Sequence, residues 1–355
     1  MKKKLAFLAG VLVFLLGLHG LTWGLNYALT PCHYASQMMW EDYAGTDLID
    51  TLFVGSSVCR SDFNPKVFDE TLGCHSFNMG TPSQPLSTTY RALKYAIKQH
   101  DIDRVVMGFG YFELTESNEA KAEVAFLQAQ MAIAGPFERV GIWWEYALSN
   151  ENRDSIKSVN CLFPWVYNHI DDVSITGIKQ NIKKKQNWDN KTKFTDGTSN
   201  NQYVGKGYAP YITKINYDAL PEHNSANFYT QEIDPQKVQV FTEICKLCEE
   251  NDIEFIVIHT PNPDFDIQAM GERYIEYKHL VEEILRENGA SYYDFNLAKE
   301  ELFPDDQANY CDFEHLDQEG AEIFSQSVAK LLLEMEKQDV DRFFYTEEKL
   351  REKGK

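Results

Sequence analysis

The sequence predicts an α/β protein whose parallel sheet is covered by helices on both faces. Short apolar segments typical of buried strands alternate with longer segments in which apolar residues recur every three or four positions. This alternation runs through residues 48–115 and resumes in residues 235–335. The polar and aromatic stretch between them breaks it. We therefore expect a three-layer domain over residues 31–338, with a large, mainly helical insertion at about 118–230.

The individual elements follow from this periodicity. In the helix before His100, for example, Leu86, Tyr90, Leu93 and Ile97 recur at three- and four-residue steps. Because functional sites of parallel sheets gather at the carboxyl ends of the strands, the residues after each strand are the first candidates for chemistry. The strands are predicted at 51–54, 76–78, 104–109, 254–258 and 290–294, and the helices at about 82–100, 235–251, 269–288 and 317–336.

The N-terminus predicts a membrane anchor in residues 1–30. Lys2, Lys3 and Lys4 precede an almost uncharged apolar run over residues 5–25, which is long enough to cross a bilayer once. A cleaved signal peptide is the alternative, but it has a shorter apolar stretch and a small-residue cleavage site. Acidic residues follow the run, so the positive-inside rule places the N-terminus in the cytoplasm and the remainder outside it. We expect a single-pass protein of the cell membrane.

Composition excludes some functions. With 34 Lys+Arg against 54 Asp+Glu, the net charge of −20 argues against a nucleic-acid partner. The seven cysteines are an odd number, so at least one thiol is not paired within the chain. Cys245 and Cys248 have a C-x-x-C spacing that is compatible with metal or redox chemistry. Their position on one helical stripe favours buried core thiols instead.

Two further segments stand apart from the alternation. We interpret the insertion as a lid or substrate-binding subdomain over the active cleft, since long irregular segments in compact domains are usually functional. The charged tail at 339–355 is expected to be a helix that frays into disorder.

The strongest local motif is Phe53-Val-Gly-Ser-Ser57, in which a strand runs into glycine and two serines. A serine at the end of a strand, next to the outward-pointing amides of a turn, is well placed to attack a carbonyl carbon. The alternative is that the serine only caps the following helix.

The second motif is Asp312-Phe-Glu-His315, which lies after the last strand and before the C-terminal helix. A nucleophilic serine needs a base, and the base needs an acceptor that fixes its tautomer. His315 and Asp312 can supply both from one short loop. The alternative is a helix-entry segment with an incidental histidine.

Together these motifs resemble the SGNH, or GDSL-like, hydrolase superfamily, in which Gly-x-Ser follows the first strand, a glycine follows the second, and Asp-x-x-His precedes the last helix. Here Gly55-Ser-Ser57, Gly80 and Asp312-x-x-His315 fill those places in order. The Gly-Ser-Ser form and the single anchor look closest to extracytoplasmic members such as the DltD proteins of teichoic-acid D-alanylation and the alginate O-acetylation proteins. The resemblance implies a flavodoxin-like sheet. It covers about residues 48–115 and 235–335.

The resemblance also implies roles. Ser57 is expected to be the nucleophile, with Ser56 as its rival, His315 the general base and Asp312 the residue that orients it. The backbone amides of Ser57 and Gly80 are expected to form the oxyanion hole, and catalysis needs no cofactor and no metal. The family's Gly-x-Asn-Asp block appears here as residues 108–113 without an asparagine, so a third oxyanion donor is missing.

Weaker candidates surround these positions. His259 follows the fourth strand, although a structural histidine is the competing interpretation. Lys183–Lys185 is either a solvated loop or a patch that touches anionic headgroups or polymer. Residues expected to line the substrate cleft are Asn78, Thr81, Gln84, Tyr111 and His259.

The leading hypothesis from the sequence is acyl transfer or ester hydrolysis on a cell-envelope glycan or teichoic-type polymer through an acyl-enzyme on Ser57. The alternative is a catalytically idle scaffold of the same fold that binds a polymer or a multi-span membrane acyltransferase. Under either hypothesis, the expected partners are an envelope polymer or acyl donor and the membrane itself.

Overall fold

The structure, a computed structural model, describes residues 2–32, 34–115, 120–148, 163–166, 168–187, 201–217, 232–335 and 340–353. Within these residues one sheet contains β1 (Thr51–Gly55), β2 (Ser76–Asn78), β3 (Arg104–Phe109), β4 (Glu254–His259) and β5 (Ser291–Asp294). All neighbouring strands are parallel, in the order β2-β1-β3-β4-β5. The predicted α/β class with a parallel sheet is confirmed, and this strand order is one of the common doubly wound arrangements.

Helices flank this sheet in two layers. The α-helices are α1 (Lys2–Leu29), α2 (Ala35–Ala44), α3 (Ser57–Asp62), α4 (Pro65–Leu72), α5 (Leu86–Ile97), α6 (Ala120–Ile133), α7 (Pro136–Leu148), α8 (Ile175–Gln186), α9 (Pro235–Glu250), α10 (Asp264–Met270), α11 (Glu272–Glu287), α12 (Gln318–Met335) and α13 (Glu348–Lys353). In one layer α12 packs on α3 and α4, and in the other α9 packs on α5 and α11. The layers leave the carboxyl ends of the strands at one shared edge.

Aromatic side chains join the sheet to the layer of α3, α4 and α12. The rings of Phe53 and Phe68 lie 4.4 Å apart, and those of Phe63 and Phe324 lie 5.2 Å apart. All four side chains are fully buried. Because Phe63 follows α3 and Phe324 lies in α12, this core fixes the two segments that carry Ser57 and His315.

The helix predicted at about 269–288 is two helices. Gly271 separates α10 from α11 with a φ of +56°, a conformation that glycine adopts without steric cost. The prediction of a single helix is therefore wrong at its first turn.

The charged tail is also different from its prediction. Val340, Phe343 and Leu350 are buried, and the Tyr345 amide donates to the carbonyl oxygen of Leu297 at 2.7 Å. The described part of the tail, residues 340–353, is packed on the domain and does not fray, because its few apolar side chains are placed to be buried.

The cysteines agree with the core interpretation. Cys245 and Cys248 are buried in α9, as the helical stripe predicted. Both thiols are free, and burial raises the pKa of each to about 12. Cys161 lies outside the described residues.

The chain divides into two compact units. One contains Met1–Gln37 and Ala120–Thr192, and the other contains Met38–Glu119 and Lys193–Lys355 with the whole sheet. In the first unit α6 and α7 pack around Val124, Leu127 and Tyr146. The same unit holds α1, which has 28 residues and contains an 18-residue window with a mean hydropathy of 2.2, so it is long and apolar enough to cross a membrane. The first part of the insertion therefore groups with the N-terminal helix.

Candidate active site

Ser57 and His315 meet at the carboxyl edge of the sheet although 258 residues separate them in sequence. Ser57 is the first residue of α3, directly after β1, and its Oγ lies 2.8 Å from His315 Nε2. Gly55 permits this tight strand-to-helix turn: its φ is +142°, and a Cβ there would lie 2.4 Å from the Gly108 carbonyl oxygen. The hydroxyl is thus within reach for proton transfer to the imidazole.

Asp312 organises both the loop and the imidazole. Its Oδ1 accepts hydrogen bonds from the backbone amides of Glu314 and His315 at 2.8 and 2.9 Å. Its carboxylate oxygens also lie 2.9 and 3.0 Å from His315 Nδ1. This arrangement directs the Nδ1 proton to Asp312 and leaves Nε2 to accept the Ser57 proton.

The two adjacent serines have different partners. Ser56 Oγ donates to Glu113 Oε1 at 2.6 Å, and Ser57 Oγ faces His315. The side chain of Ser56, at the N-cap position of α3, makes no capping hydrogen bond. The structure therefore distinguishes the serines, and only Ser57 contacts the histidine and carboxylate pair.

Buried carboxyl groups perturb the electrostatics of His315. Burial alone would lower its pKa, but the hydrogen bond and charge of Asp312, with Glu314 and Asp62, raise the pKa to about 9. Asp62 is fully buried, and this burial raises its own pKa to about 8. Burial likewise raises the pKa of Glu314 to about 7. Although burial opposes it, the hydrogen bond from His315 keeps the pKa of Asp312 below its usual value.

A hairpin within the predicted insertion completes the site. Residues 201–217, called here the site hairpin, pair through the bridges Asn201↔Tyr211 and Gly205↔Tyr208. The ring of Tyr211 lies 4.7 Å from that of His315. The sequence pattern does not predict this contact, because the segment shows neither the alternation of a strand nor the spacing of a helix.

Backbone hydrogen bonds hold the site hairpin on the sheet domain. The amide of Asn78 donates to the carbonyl oxygen of Lys206 at 2.9 Å, and the amide of Ala209 donates to that of Arg60 at 3.1 Å. The amide of Ile215 donates to the carbonyl oxygen of Tyr310 at 2.7 Å. The site hairpin is thus hydrogen-bonded to β2, to α3 and to Tyr310, which lies just before the segment that carries Asp312 and His315.

The predicted oxyanion hole is only partly available. The Gly80 amide donates to Asn78 Oδ1 at 2.9 Å, so in this structure it is not directed at an oxyanion. The Ser57 amide is at the first position of α3, where an amide has no intrahelical acceptor. The Ser57 amide therefore remains a candidate oxyanion donor. The prediction for Gly80 is wrong, because its amide N–H already donates to the side chain of Asn78.

Three residues expected to line the cleft lie inside the fold instead. Asn78 is fully buried and its Nδ2 donates to the carbonyl oxygens of Cys59 and Phe63 at 2.7 and 2.9 Å. Thr81 and Gln84 are also buried, and the Thr81 hydroxyl donates to Gln84 Oε1 at 2.7 Å. Their positions in the sequence do not reveal that Thr81 pairs with Gln84 and that Asn78 pairs with backbone carbonyl groups.

The remaining candidates have separate outcomes. His259 is 1% exposed at the end of β4, with the Tyr292 hydroxyl 3.3 Å from its Nδ1, which matches the structural interpretation. Burial lowers its pKa. Tyr111 begins a short 3-10 helix after β3, but its side chain lies outside the described part of the chain. The three lysines Lys183–Lys185 lie in α8 and not in a loop.

In comparisons with known proteins, no family model matches this chain and no curated protein matches it significantly.

Proposed function

We propose that the chain is an SGNH-type serine acyl-esterase or O-acyltransferase that acts on a cell-envelope glycan or teichoic-type polymer. The observation that carries this proposal is the chain of contacts from Ser57 Oγ to His315 Nε2 at 2.8 Å, and from His315 Nδ1 to Asp312 at 2.9 and 3.0 Å. The strand order and the motif order agree with that family. Nucleophile, base and orienting carboxylate occupy the positions that acyl transfer needs.

The chemistry proceeds in two transfers. Ser57 Oγ attacks the acyl carbonyl carbon while its proton passes to His315 Nε2, and the resulting oxyanion faces the Ser57 amide. The tetrahedral intermediate collapses, the leaving alkoxide takes the proton from His315, and an ester on Ser57 remains. Water or a polymer hydroxyl then gives its proton to His315, attacks the ester and regenerates Ser57.

We further propose that α1 anchors this activity at the membrane, with the N-terminus in the cytoplasm and the sheet domain outside. The length and hydropathy of α1 support the anchor, and Lys2, Lys3 and Lys4 at its start support the orientation. An envelope polymer would then be on the same side as Ser57.

A catalytically idle scaffold of the same fold is the second candidate. The specific observation in its favour is that the Gly80 amide already donates to Asn78, while the Glu113 carboxylate accepts from Ser56 next to Ser57. An anion-binding site with one amide and a nearby carboxylate is a poor oxyanion hole. In that case the domain would bind an envelope polymer or a multi-span membrane acyltransferase.

A turnover assay separates these candidates. The full chain in detergent is given an activated acyl ester with and without envelope polymer, and both free acid and acylated polymer are measured. We expect Ser57→Ala to reduce acyl release by about 10³-fold or more. Ser56→Ala, the matched control one residue away, should retain most activity. Equal rates in wild type and Ser57→Ala would contradict the enzyme hypothesis and support the catalytically idle scaffold.

A further inference from the structure

The unit that contains α1 has a cavity of about 430 Å³ where that helix ends. It lies between α1, the residues that follow it, α6 and α8. Its lining is aromatic and polar and includes Trp23, Tyr27, Cys32, Tyr34, Gln128 and Lys185.

Lys185 is the charged group of this cavity. Its Nζ donates to the Tyr27 carbonyl oxygen at 2.7 Å and to Thr30 Oγ1 at 3.1 Å, and it lies 5.3 Å from the Tyr27 ring centre. An ammonium has three N–H groups, so two acceptors leave one for a ligand. Among the described residues no carboxylate forms an ion pair with Lys185.

The surroundings of Lys185 change the pKa of its ammonium group. Desolvation lowers its pKa to about 8. Lys184, the preceding residue of α8, acts electrostatically on Cys32 together with Lys185. An anion bound here would stabilise the protonated form of Lys185 and would raise its pKa again.

The surroundings of the cavity indicate the kind of anion. Trp23 and Tyr27 stack with ring centres 5.8 Å apart near the end of α1, and such aromatic residues are typical of the membrane–water boundary. The apolar part of α1 before them is unburied within the structure. A ligand in the cavity would therefore have its charged part at Lys185 and apolar chains beside α1.

We propose that this cavity binds the phosphate headgroup of an anionic phospholipid of the outer leaflet, with Lys185 as the cationic contact and the positive charge of the adjacent Lys184 as a further attraction. The inference rests on the proposed membrane anchor and its orientation. It is independent of the acyl chemistry at Ser57.

A second apolar surface of the same unit supports contact with lipid. On α7, Phe137 is 95% exposed and Trp144 is 56% exposed, and Val140 and Leu148 continue the same stripe at helical spacing. The opposite side of α7 packs on α6 through Tyr146, and α6 lines the cavity. An apolar face of this kind is typical of a helix that lies on a membrane surface.

The test is native mass spectrometry of the full chain in detergent with equal amounts of phosphatidylglycerol and phosphatidylcholine. We expect preferential retention of phosphatidylglycerol, and about a tenfold weaker affinity in Lys185→Gln, because a hydrogen bond between charged groups is lost. Lys185→Arg should keep the preference. Lys179→Gln, an exposed lysine of the same helix, is the matched control. Lys184→Gln removes charge without touching the hydrogen bonds at the end of α1.

Each outcome decides the inference. Equal retention of both lipids, equal losses in Lys185→Gln and Lys179→Gln, or full retention in both Lys185→Gln and Lys184→Gln would overturn it. Displacement of the lipid by millimolar inorganic phosphate would show a phosphate site that does not select lipid. Sedimentation of the chain with carbonate-washed membranes tests the anchor separately, so failure of lipid selection and failure of the anchor give different results.

Discussion

Asp62 is the residue whose effect on the candidate site is least expected from the sequence. It is the last residue of α3, fully buried, and its Oδ1 accepts a hydrogen bond from the Ser61 hydroxyl at 2.7 Å. Its carboxyl acts on His315 through space and contributes to the raised pKa of that histidine. A base with a pKa of about 9 is mostly protonated at neutral pH, so its neutral, proton-accepting form increases as the solution becomes alkaline.

The first prediction concerns pH. In the proposed mechanism His315 must be neutral to accept the Ser57 proton, so kcat/KM should rise from pH 7 through the raised pKa of about 9. Above its own pKa of about 8 the Asp62 carboxyl is negatively charged. Asp62→Asn removes this charge, so in that range the pKa of His315 should fall and the profile should move to lower pH by up to about one unit. The measurement is kcat/KM for an activated ester between pH 6 and about 10.

Asp101→Asn is the control for this shift, since Asp101 is exposed in the turn before β3, at the opposite edge of the sheet. A profile that does not change in Asp62→Asn, or one that moves equally in both variants, would contradict the electrostatic role of Asp62.

At the scale of elements, the position of the site hairpin depends on the close approach of Gly207 to the backbone of Asn78. Gly207 has a φ of +79°, and a Cβ at this position would lie 1.7 Å from the carbonyl oxygen of Asn78. The hairpin therefore sits on the end of β2 with no room for a side chain at this position. Its contact with His315 through Tyr211 follows from that placement.

The second prediction uses this glycine. Gly207→Ala should lower the free energy of unfolding by at least about 2 kcal/mol more than Gly73→Ala, because it adds a backbone clash to the strain of the positive φ. Gly73 is a matched control, since its φ is +71° and a Cβ there meets no atom within 4 Å. Urea unfolding of the two variants checks the difference. Equal losses would mean that the hairpin is not held against Asn78.

The sequence predicted the strands and the motifs better than it predicted their polar contacts. Buried parallel strands are short apolar runs, so β1, β3 and β4 were recognisable, and Asp312 and His315 are close in sequence. The hydrogen bond from Gly80 to Asn78 depends on a side-chain direction that no periodicity encodes. The site hairpin has neither strand nor helix periodicity, and the backbone hydrogen bonds that hold it come from distant segments.

At the scale of the whole molecule, the grouping of α1 with the insertion could not be predicted. The Asn181 Nδ2 in α8 donates to the carbonyl oxygens of Ala28 and Thr30 at 3.0 and 2.8 Å, which satisfies acceptors at the end of α1. These residues are more than 150 positions apart, and asparagine has many structural uses. The predicted anchor is thus also a structural part of its compact unit.

The third prediction is that removing α1 affects the protease resistance of the two compact units unequally. A chain that begins at Pro31 should leave the membrane fraction, and its residues 120–192 should become sensitive to protease because Asn181 and Lys185 lose their acceptors on α1. The sheet domain should remain resistant, since its core lies in the other unit. Limited proteolysis with mass mapping, against the full chain in detergent, measures both. Equal sensitivity of the two regions, or unchanged resistance of 120–192, would contradict this prediction.

Covalent labelling tests the proposal that Ser57 is a nucleophile activated by His315. The full chain is treated with a fluorophosphonate, which phosphonylates activated serines, and the modified peptide is sequenced by mass spectrometry. We expect one adduct on Ser57 that is lost in Ser57→Ala, is strongly reduced in His315→Ala and persists in Ser56→Ala. An adduct on Ser56, or no adduct on a folded chain under alkaline conditions where His315 is neutral, would contradict it.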